Sequence, residues 1–115
     1  MTQDRHRTDP FLPLTPVWFD ILLALAAGEQ HGYAVMQEVA RHSQSNLHPG
    51  TLYRALARLL ESELIEELDE RPSEGDDERR RYYRLTSLGR AVAKAEGARL
   101  TRQLARARAV DLYAE

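Results

Sequence analysis

The stretch HPGTLYRALARLL, residues 48–60, joins a helix start to an apolar stripe. Pro49 suits the first position of a helix, and the residues around it form an opening turn. The apolar side repeats at the i, i+4, i+7, i+8 spacing of one buried helix face: Leu52, Leu56, Leu59 and Leu60. The opposite side carries polar and small residues: Thr51, Arg54, Ala55 and Arg58. This stretch therefore predicts an amphipathic helix with a cationic outer face.

Two further helices are predicted before this stretch. The first begins at Pro16 with Thr15 as its N-cap, and Gly28 supplies a left-handed stop. Its apolar face is Val17, Ile21, Leu22 and Leu25. The second helix runs from about Gly32 to Arg41 and turns Val35, Met36 and Val39 inward.

A hairpin is predicted after the leucine-striped helix. Its first strand is Leu64–Leu68, its long tip is the charged segment 69–78, and its second strand is Arg80–Leu85. In the second strand one face takes Arg81, Tyr83 and Leu85, and the other takes Arg80, Tyr82 and Arg84. The polar and aperiodic residues 1–10 are predicted to form a mobile arm.

A fourth helix follows, with Ser87 as its cap, and runs to about Leu112. Its first half has a stripe of Leu88, Val92 and Ala95, which can pack on its own domain. Its second half presents a rotated stripe without an obvious partner in the chain: Leu100, Leu104 and Ala107. An apolar stripe of this kind predicts a helix from a second subunit.

The order of three helices, a hairpin and a terminal helix is that of a winged helix-turn-helix, a mainly α fold with a small β-hairpin. We expect the DNA-binding domain at residues 11–86 and a dimerisation helix at residues 87–115. In this fold the third helix enters the major groove and the wing lies along the flanking backbone. Because some winged helices bind only proteins, a protein-interaction module is the alternative.

Three segments resemble the PadR family of transcriptional regulators. They are LAAGEQHGY (25–33), PGTLYRALARL (49–59) and RRYYRLTSLGR (80–90), in this order and at matching spacing. The resemblance covers about residues 12–112. It implies a homodimeric transcriptional repressor that binds double-stranded DNA. Relatives often control detoxification, efflux or stress genes and are in some cases released by a small aromatic ligand. The chain resembles the short subgroup, which has a single C-terminal helix.

Two positions depart from the pattern of many relatives. Arg54 stands where they have proline and adds a candidate contact to DNA. Glu63 stands where they have glycine, so the turn into the first strand must form without glycine's conformational freedom.

The candidate DNA contacts lie on three parts of the chain. On the third helix they are Thr51, Tyr53, Arg54 and Arg58, although Thr51 could serve only the helix start and Tyr53 could be half core. On the wing they are Arg79, Arg80 and Arg81, which could instead pair with the acidic tip. At the start of the second helix they are His31 and Tyr33, where anions are favoured, although Tyr33 could equally be core.

Composition limits the other functions. The 115 residues carry a net charge of −2 and no cysteine, which excludes disulfides and thiolate chemistry and fits a cytoplasmic protein. No segment is predicted to cross a membrane or to act as a secretory signal. Ten acidic residues lie between 61 and 78, followed closely by four arginines, so charge is strongly clustered.

No catalytic, cofactor or metal site is predicted. Glu38 and His42 are spaced i, i+4, but no third ligand has suitable spacing, and the four histidines are scattered. An aromatic effector could contact Phe11, Trp18 and Phe19, although aromatic residues at helical spacing are more often core.

Overall fold

The computed structural model describes residues 7–42, 48–68 and 81–113. A 3-10 turn at Asp9–Phe11 comes before the main elements. The helices are α1 (Pro16–Ala26), α2 (Gly32–His42), α3 (Pro49–Glu61) and α4 (Ser87–Ala109). The strands are β1 (Gln30–His31), β2 (Ile65–Glu67) and β3 (Tyr82–Leu85). The predicted winged helix-turn-helix class is confirmed by this order and by the comparisons given below.

Helix α1 begins as its sequence predicts. The Trp18 N–H donates to Thr15 Oγ1 at 3.4 Å, and Pro16 occupies the first turn. Ile21, Leu22 and Leu25 are buried, and α1 packs against α2, α4 and β3. Gly28 follows the helix with a φ of 150°, a positive angle that other residues rarely adopt. This angle lies far from the left-handed helical value that the sequence predicted.

The sheet has three strands, where the sequence predicted a two-stranded hairpin. Strand β3 lies in the centre, with β1 and β2 antiparallel on its two sides. Gln30 is opposite Tyr83, and His31 is opposite Tyr82. The extra strand is only two residues long, too short for any alternation to reveal it. The hairpin strands are also shorter than predicted, at three and four residues.

Tyr82 and Tyr83 are both buried, although they point to opposite faces of β3. Tyr83 joins the main core, whereas the Tyr82 ring meets the edge of the His31 ring, with centroids 5.5 Å apart. The added strand β1 therefore pairs with the edge of β3 that a two-stranded hairpin would leave open, and its His31 ring packs on Tyr82.

Helix α3 buries Leu52, Leu56 and Leu59 almost completely, and Leu60 packs partly against the same core. The prediction that Ala55 faces outward is wrong, since Ala55 is buried. At 100° per residue, position 55 lies about 40° beyond position 59, at the edge of the inner side. Of the four residues predicted for the outer face, Thr51, Arg54 and Arg58 remain.

Helix α3 ends in a Schellman motif. The Leu64 N–H donates to the Leu59 carbonyl, and the Glu63 N–H donates to the Leu60 carbonyl, both at 3.0 Å. Glu63 itself has a φ of 61°, in the left-handed region. The turn thus forms despite the missing glycine, with a glutamate in a conformation that costs L-residues free energy.

Helix α4 is capped by Thr86, so the prediction of Ser87 as the cap is wrong. Thr86 Oγ1 accepts from the Gly89 N–H at 2.9 Å and donates to the Glu63 carbonyl at 2.7 Å. The helix ends at Ala109, three residues before the predicted Leu112. A second Schellman motif there places Asp111 at a φ of 61°.

The predicted mobile arm includes residues that the structure shows packed. Residues 7–11 are helical, and Thr8 is only 4% exposed. The adjoining Leu14 belongs to the core, and its backbone N–H is hydrogen-bonded to the buried Glu96 carboxylate. The segment before α1 is therefore held against α4.

Candidate nucleic-acid interface

The outer side of α3 presents polar and aromatic groups because the leucine stripe fixes the opposite side in the core. Arg54 and Arg58 are exposed, and 54% of Tyr53 is exposed. Thr51 is half-buried in the first turn. Neither arginine forms an ion pair within the part of the chain that the structure describes. Two cationic groups are thus free to meet an anionic partner.

A groove of about 410 Å³ opens beside this face, between α3, the first turn of α2 and strand β3. Its walls bring together four of the predicted contact residues: His31, Tyr33, Tyr53 and Arg81. The remaining lining is Gly32, Leu56, Ala57, Leu60 and Tyr83. Residues far apart in sequence therefore form one surface with α3.

His31 is the last residue of β1 and lies directly before the first residue of α2. Its Nδ1 accepts from the Ala34 N–H at 3.1 Å and so caps α2. Its ring lies nearly parallel to the Tyr33 ring, with centroids 6.4 Å apart. Because this nitrogen accepts a hydrogen bond from the backbone of α2, His31 has a structural role as the cap of that helix. Tyr33, in contrast, is 53% exposed.

Arg81 and Arg84 differ in how firmly they are held by carboxylates. Arg84 donates from Nε to Glu66 Oε1 at 2.7 Å, across the β2–β3 pair. Arg81 lies 3.6 Å from Glu67, and 70% of its side chain is exposed. An exposed pair at this distance contributes little stability. Arg81 is therefore the more loosely held of the two arginines, whereas Arg84 is hydrogen-bonded to Glu66.

Tyr83 contributes a hydroxyl to the groove from its buried side. Burial, together with the Glu67 carboxylate, raises the pKa of Tyr83 above its usual value of 10.0. The hydroxyl therefore stays protonated at neutral pH and can donate a hydrogen bond.

The predicted contacts Arg79 and Arg80 lie outside the described residues. So do the acidic positions 69–78, whose role the sequence left open. The acidic residues before them are described: Glu66 and Glu67 pair with Arg84 and Arg81. This part of the acidic run thus balances arginines of the neighbouring strand.

The second half of α4 is the other exposed surface of interest. Leu100 is 36% exposed, Leu104 is 43% exposed, and Ala107 is half-buried. Beyond them Val110 and Leu112 are also exposed. Within the described chain, the predicted stripe of Leu100, Leu104 and Ala107 is therefore only partly covered, and apolar surface continues beyond it.

The aromatic residues proposed for an effector pack mainly inward. Phe11, Trp18 and Phe19 are partly buried and lie against the hydrophobic core. Within the described ranges, no group of three histidine or acidic side chains is placed to hold a metal ion. No helix in those ranges is long and apolar enough to span a bilayer.

Sequence reasoning missed three residues that the structure makes important. Gly32 lies under the Tyr53 ring, Tyr83 lines the groove, and Glu96 is buried with an ion-pair partner. Gly32 and Tyr83 fall inside the motifs that carry the family resemblance, which was the available signal. The sequence contained no signal for Glu96, because a glutamate on a helix is usually exposed to solvent.

Three helices, a small antiparallel sheet and the cationic outer face of α3 define a winged helix-turn-helix protein. The model of the transcriptional regulator PadR-like family matches residues 21–95, more than half of the chain. The chain therefore belongs to this family of transcriptional regulators. Because the family consists of regulators, the prediction that the protein is not an enzyme is confirmed.

Individual proteins show the same relationship. A 37.1 kDa protein encoded in a transposon of Streptomyces fradiae is 38% identical over 82 residues, which cover 71% of this chain and 22% of that protein. The chain thus spans about a fifth of that relative's length.

Two solved structures match most of the chain. A PadR family transcription regulator from Clostridium difficile is 25% identical with a TM-score of 0.73, covering 84% of this chain and 98% of that one. RosR of H. salinarum is 27% identical with a TM-score of 0.62, covering 84% of this chain and 79% of that one.

Proposed function

We propose that the protein binds a palindromic DNA operator as a homodimer and represses transcription from it. The observation that carries this proposal is the exposed pair Arg54 and Arg58, unpaired within the described chain, on the outer face of α3. In winged helices this helix enters the major groove. The groove bounded by β3 then lies where the flanking backbone passes.

Each arginine of α3 has a distinct part in this proposal. The N-terminal residues of a recognition helix enter the groove deepest, so Arg54 is placed to read a base and Arg58 to contact phosphate. Arginine reads guanine through two parallel donors. Thr51, half-buried in the first turn, contributes a phosphate contact from its hydroxyl.

The wing supplies contacts that do not depend on sequence. Arg81 is exposed and only loosely paired with Glu67, so a phosphate can replace that carboxylate. Arg79 and Arg80 precede it in the chain and extend the same cationic segment. Phosphate contacts of this kind set the register of the protein on the duplex.

A second copy of the chain covers the exposed stripe of α4. Leu100, Leu104 and Ala107 lie along one side of that helix, and burial against the same stripe of a partner removes them from water. A two-fold dimer presents two α3 helices to half-sites about 34–36 Å apart, one turn of DNA. The operator is therefore a palindrome.

A small aromatic effector is part of the proposal and would act at the dimer interface near Trp18 and Phe19. Both residues are only partly buried in the single chain. Because a regulator of this kind works beside the genome, cytoplasmic localisation is part of the proposal.

The test is selection of bound duplexes from a random pool, followed by affinity measurements across salt concentrations. We expect an enriched palindrome and an affinity that falls steeply with salt, because phosphate contacts release counterions. Arg81→Ala should make the salt slope about one unit shallower per subunit. Lys94→Ala removes the same charge from the exposed side of α4 and should leave the slope unchanged. Binding that is absent or insensitive to salt would favour a protein-interaction module instead.

A further inference from the structure

The Tyr53 ring of α3 lies on the first residue of α2. A Cβ added at Gly32 would be 3.2 Å from Tyr53 Cε1 and 3.5 Å from the Tyr53 hydroxyl. The distance to Cε1 is tighter than ordinary van der Waals packing, whereas the distance to the hydroxyl is ordinary, so a side chain at Gly32 would push the edge of the ring aside. The hydroxyl is thereby held beside the groove that both residues line.

Gly32 is not required by the backbone at this position. Its φ lies outside the positive range that excludes L-residues, whereas Gly28 four residues earlier lies inside it. Alanine is also a better helix former than glycine. The remaining neighbour of the added Cβ, Leu56 Cδ1, would be at an ordinary 3.7 Å. The one group that a side chain at Gly32 would displace is the Tyr53 ring.

We propose that the groove between α2 and α3 holds one phosphate of the DNA backbone, that the Tyr53 hydroxyl donates to it, and that Gly32 is the positioning residue for this hydroxyl. The proposal rests on the proposed function, since it names a ligand group for the same surface.

The surroundings of the hydroxyl suit an anion with several acceptor oxygens. Arg81 supplies a cation on the opposite wall, and Tyr33 is a second exposed hydroxyl on the rim. Among the residues that the structure describes, no acidic side chain lines the groove, and the carboxylate that pairs with Arg81 is the loosely held Glu67. A volume of about 410 Å³ admits a phosphate with its water. Hydroxyl and arginine donors are the usual protein partners of backbone phosphates.

The free outer end of Tyr53 explains why a change at Gly32 affects binding more than folding. Because 54% of Tyr53 is exposed, the ring can swing away from an alanine at position 32 without disturbing the core. The hydroxyl then leaves the groove. Gly32→Ala should therefore keep or raise the melting temperature while weakening DNA binding.

The test is a double-mutant cycle of Gly32→Ala and Tyr53→Phe, with Gln37→Ala as the control on the exposed side of the same helix. Two probes are used: the duplex selected from the random pool and a duplex of unrelated sequence. We expect each single variant to bind both probes about tenfold more weakly, the loss of one hydrogen bond to a charged group. The double variant should bind no more weakly than either single variant. Gln37→Ala should bind as the wild type does.

Several results would overturn the inference. Wild-type affinity for Gly32→Ala would show that the position of the ring does not matter. Losses that multiply to about a hundredfold in the double variant would show that the two residues act separately. A loss confined to the selected duplex would assign Tyr53 to a base. Failure of the wild type to bind either duplex would remove the proposed function as well, so the two failures are distinguishable.

Discussion

Gly89, in the first turn of α4, lies directly against the backbone of Leu64 at the start of the wing. A Cβ at Gly89 would be 1.8 Å from the Leu64 carbonyl oxygen and 2.8 Å from its carbon. The Thr86 N–H also donates to this carbonyl, at 3.2 Å. The contact joins the turn after α3 to the start of α4, so it fixes how strand β2 is attached to α4.

We expect Gly89→Ala to destabilise the fold by about 3 kcal/mol, the upper part of the range for overpacking, because backbone cannot move aside as a side chain can. Urea unfolding of the wild type and the variant measures the change. Gly97→Ala is the matched control: it lies in the same helix with nothing within 4 Å, and alanine there should be neutral or stabilising. Equal stability of Gly89→Ala and wild type would contradict the contact.

Glu63→Gly should stabilise the protein by about 1 kcal/mol. Glu63 has a φ of 61°, where an L-residue is disfavoured and glycine is not, and part of the gain is offset by the freer unfolded chain. Thermal and urea unfolding give the free energy. Glu61→Gly, two residues earlier in the last turn of α3, should have the opposite sign because its backbone is helical. A destabilised Glu63→Gly variant would mean that the glutamate side chain contributes more than its backbone costs.

We expect the free energy of unfolding to depend on pH through the buried Glu96. Its hydrogen bonds from Arg99, at 2.6 and 3.0 Å, lower the pKa of the carboxyl below the usual 4.5, although burial acts in the opposite direction. A carboxyl with a lowered folded-state pKa stabilises the fold above its unfolded pKa, and this contribution is lost as the pH falls through the folded value.

The variant that tests this is Glu96→Gln. It should be less stable than wild type by about 1–2 kcal/mol at pH 7, a modest figure because Arg99 is partly exposed. The difference should shrink as the pH is lowered past the folded pKa, where the wild-type carboxyl also becomes neutral. Unfolding free energies between pH 7 and pH 2 measure it. A difference that is constant with pH would show that the charge of Glu96 contributes nothing.

Two glutamates on the exposed stripe of α4 should abolish dimerisation. Leu100→Glu with Leu104→Glu would bury unpaired carboxylates in the proposed interface, which costs several kcal/mol. Sedimentation at micromolar concentration should find wild-type dimers and variant monomers. Ala98→Glu with Ala105→Glu adds the same charge to the far side of the helix and should remain dimeric. A monomeric wild type would refute this role for α4.

Arg54 and Arg58 should differ in their effect on specificity. Arg54→Ala is expected to relax the preference at one symmetric pair of bases, because a bidentate contact discriminates by about 1–3 kcal/mol. Arg58→Ala should weaken binding to all sequences similarly. Selection from a random pool with each variant separates the two. An unchanged motif at undiminished affinity for Arg54→Ala would remove Arg54 from base reading.

Local patterns in the sequence were sufficient to predict the helices and to identify the side of α3 that faces outward. The leucine spacing of residues 52–60 places one face in the core, and Thr15 with Pro16 starts α1 as predicted. These features depend on residues within a few positions of each other, where helical geometry relates spacing to direction. The same reasoning found the uncovered stripe of Leu100 and Leu104.

The tertiary structure decided what depends on residues far apart in the chain. Strand β1 exists because residues 30 and 31 meet β3, and Glu96 is buried because the segment before α1 crosses it. The positions of Tyr53 on Gly32 and of Gly89 on Leu64 likewise follow from how helices pack. A sequence pattern states which face of an element is apolar, but not which atoms of another element that face will touch. Contacts of that kind are set by close packing of the whole core, where a single Cβ is enough to forbid an arrangement.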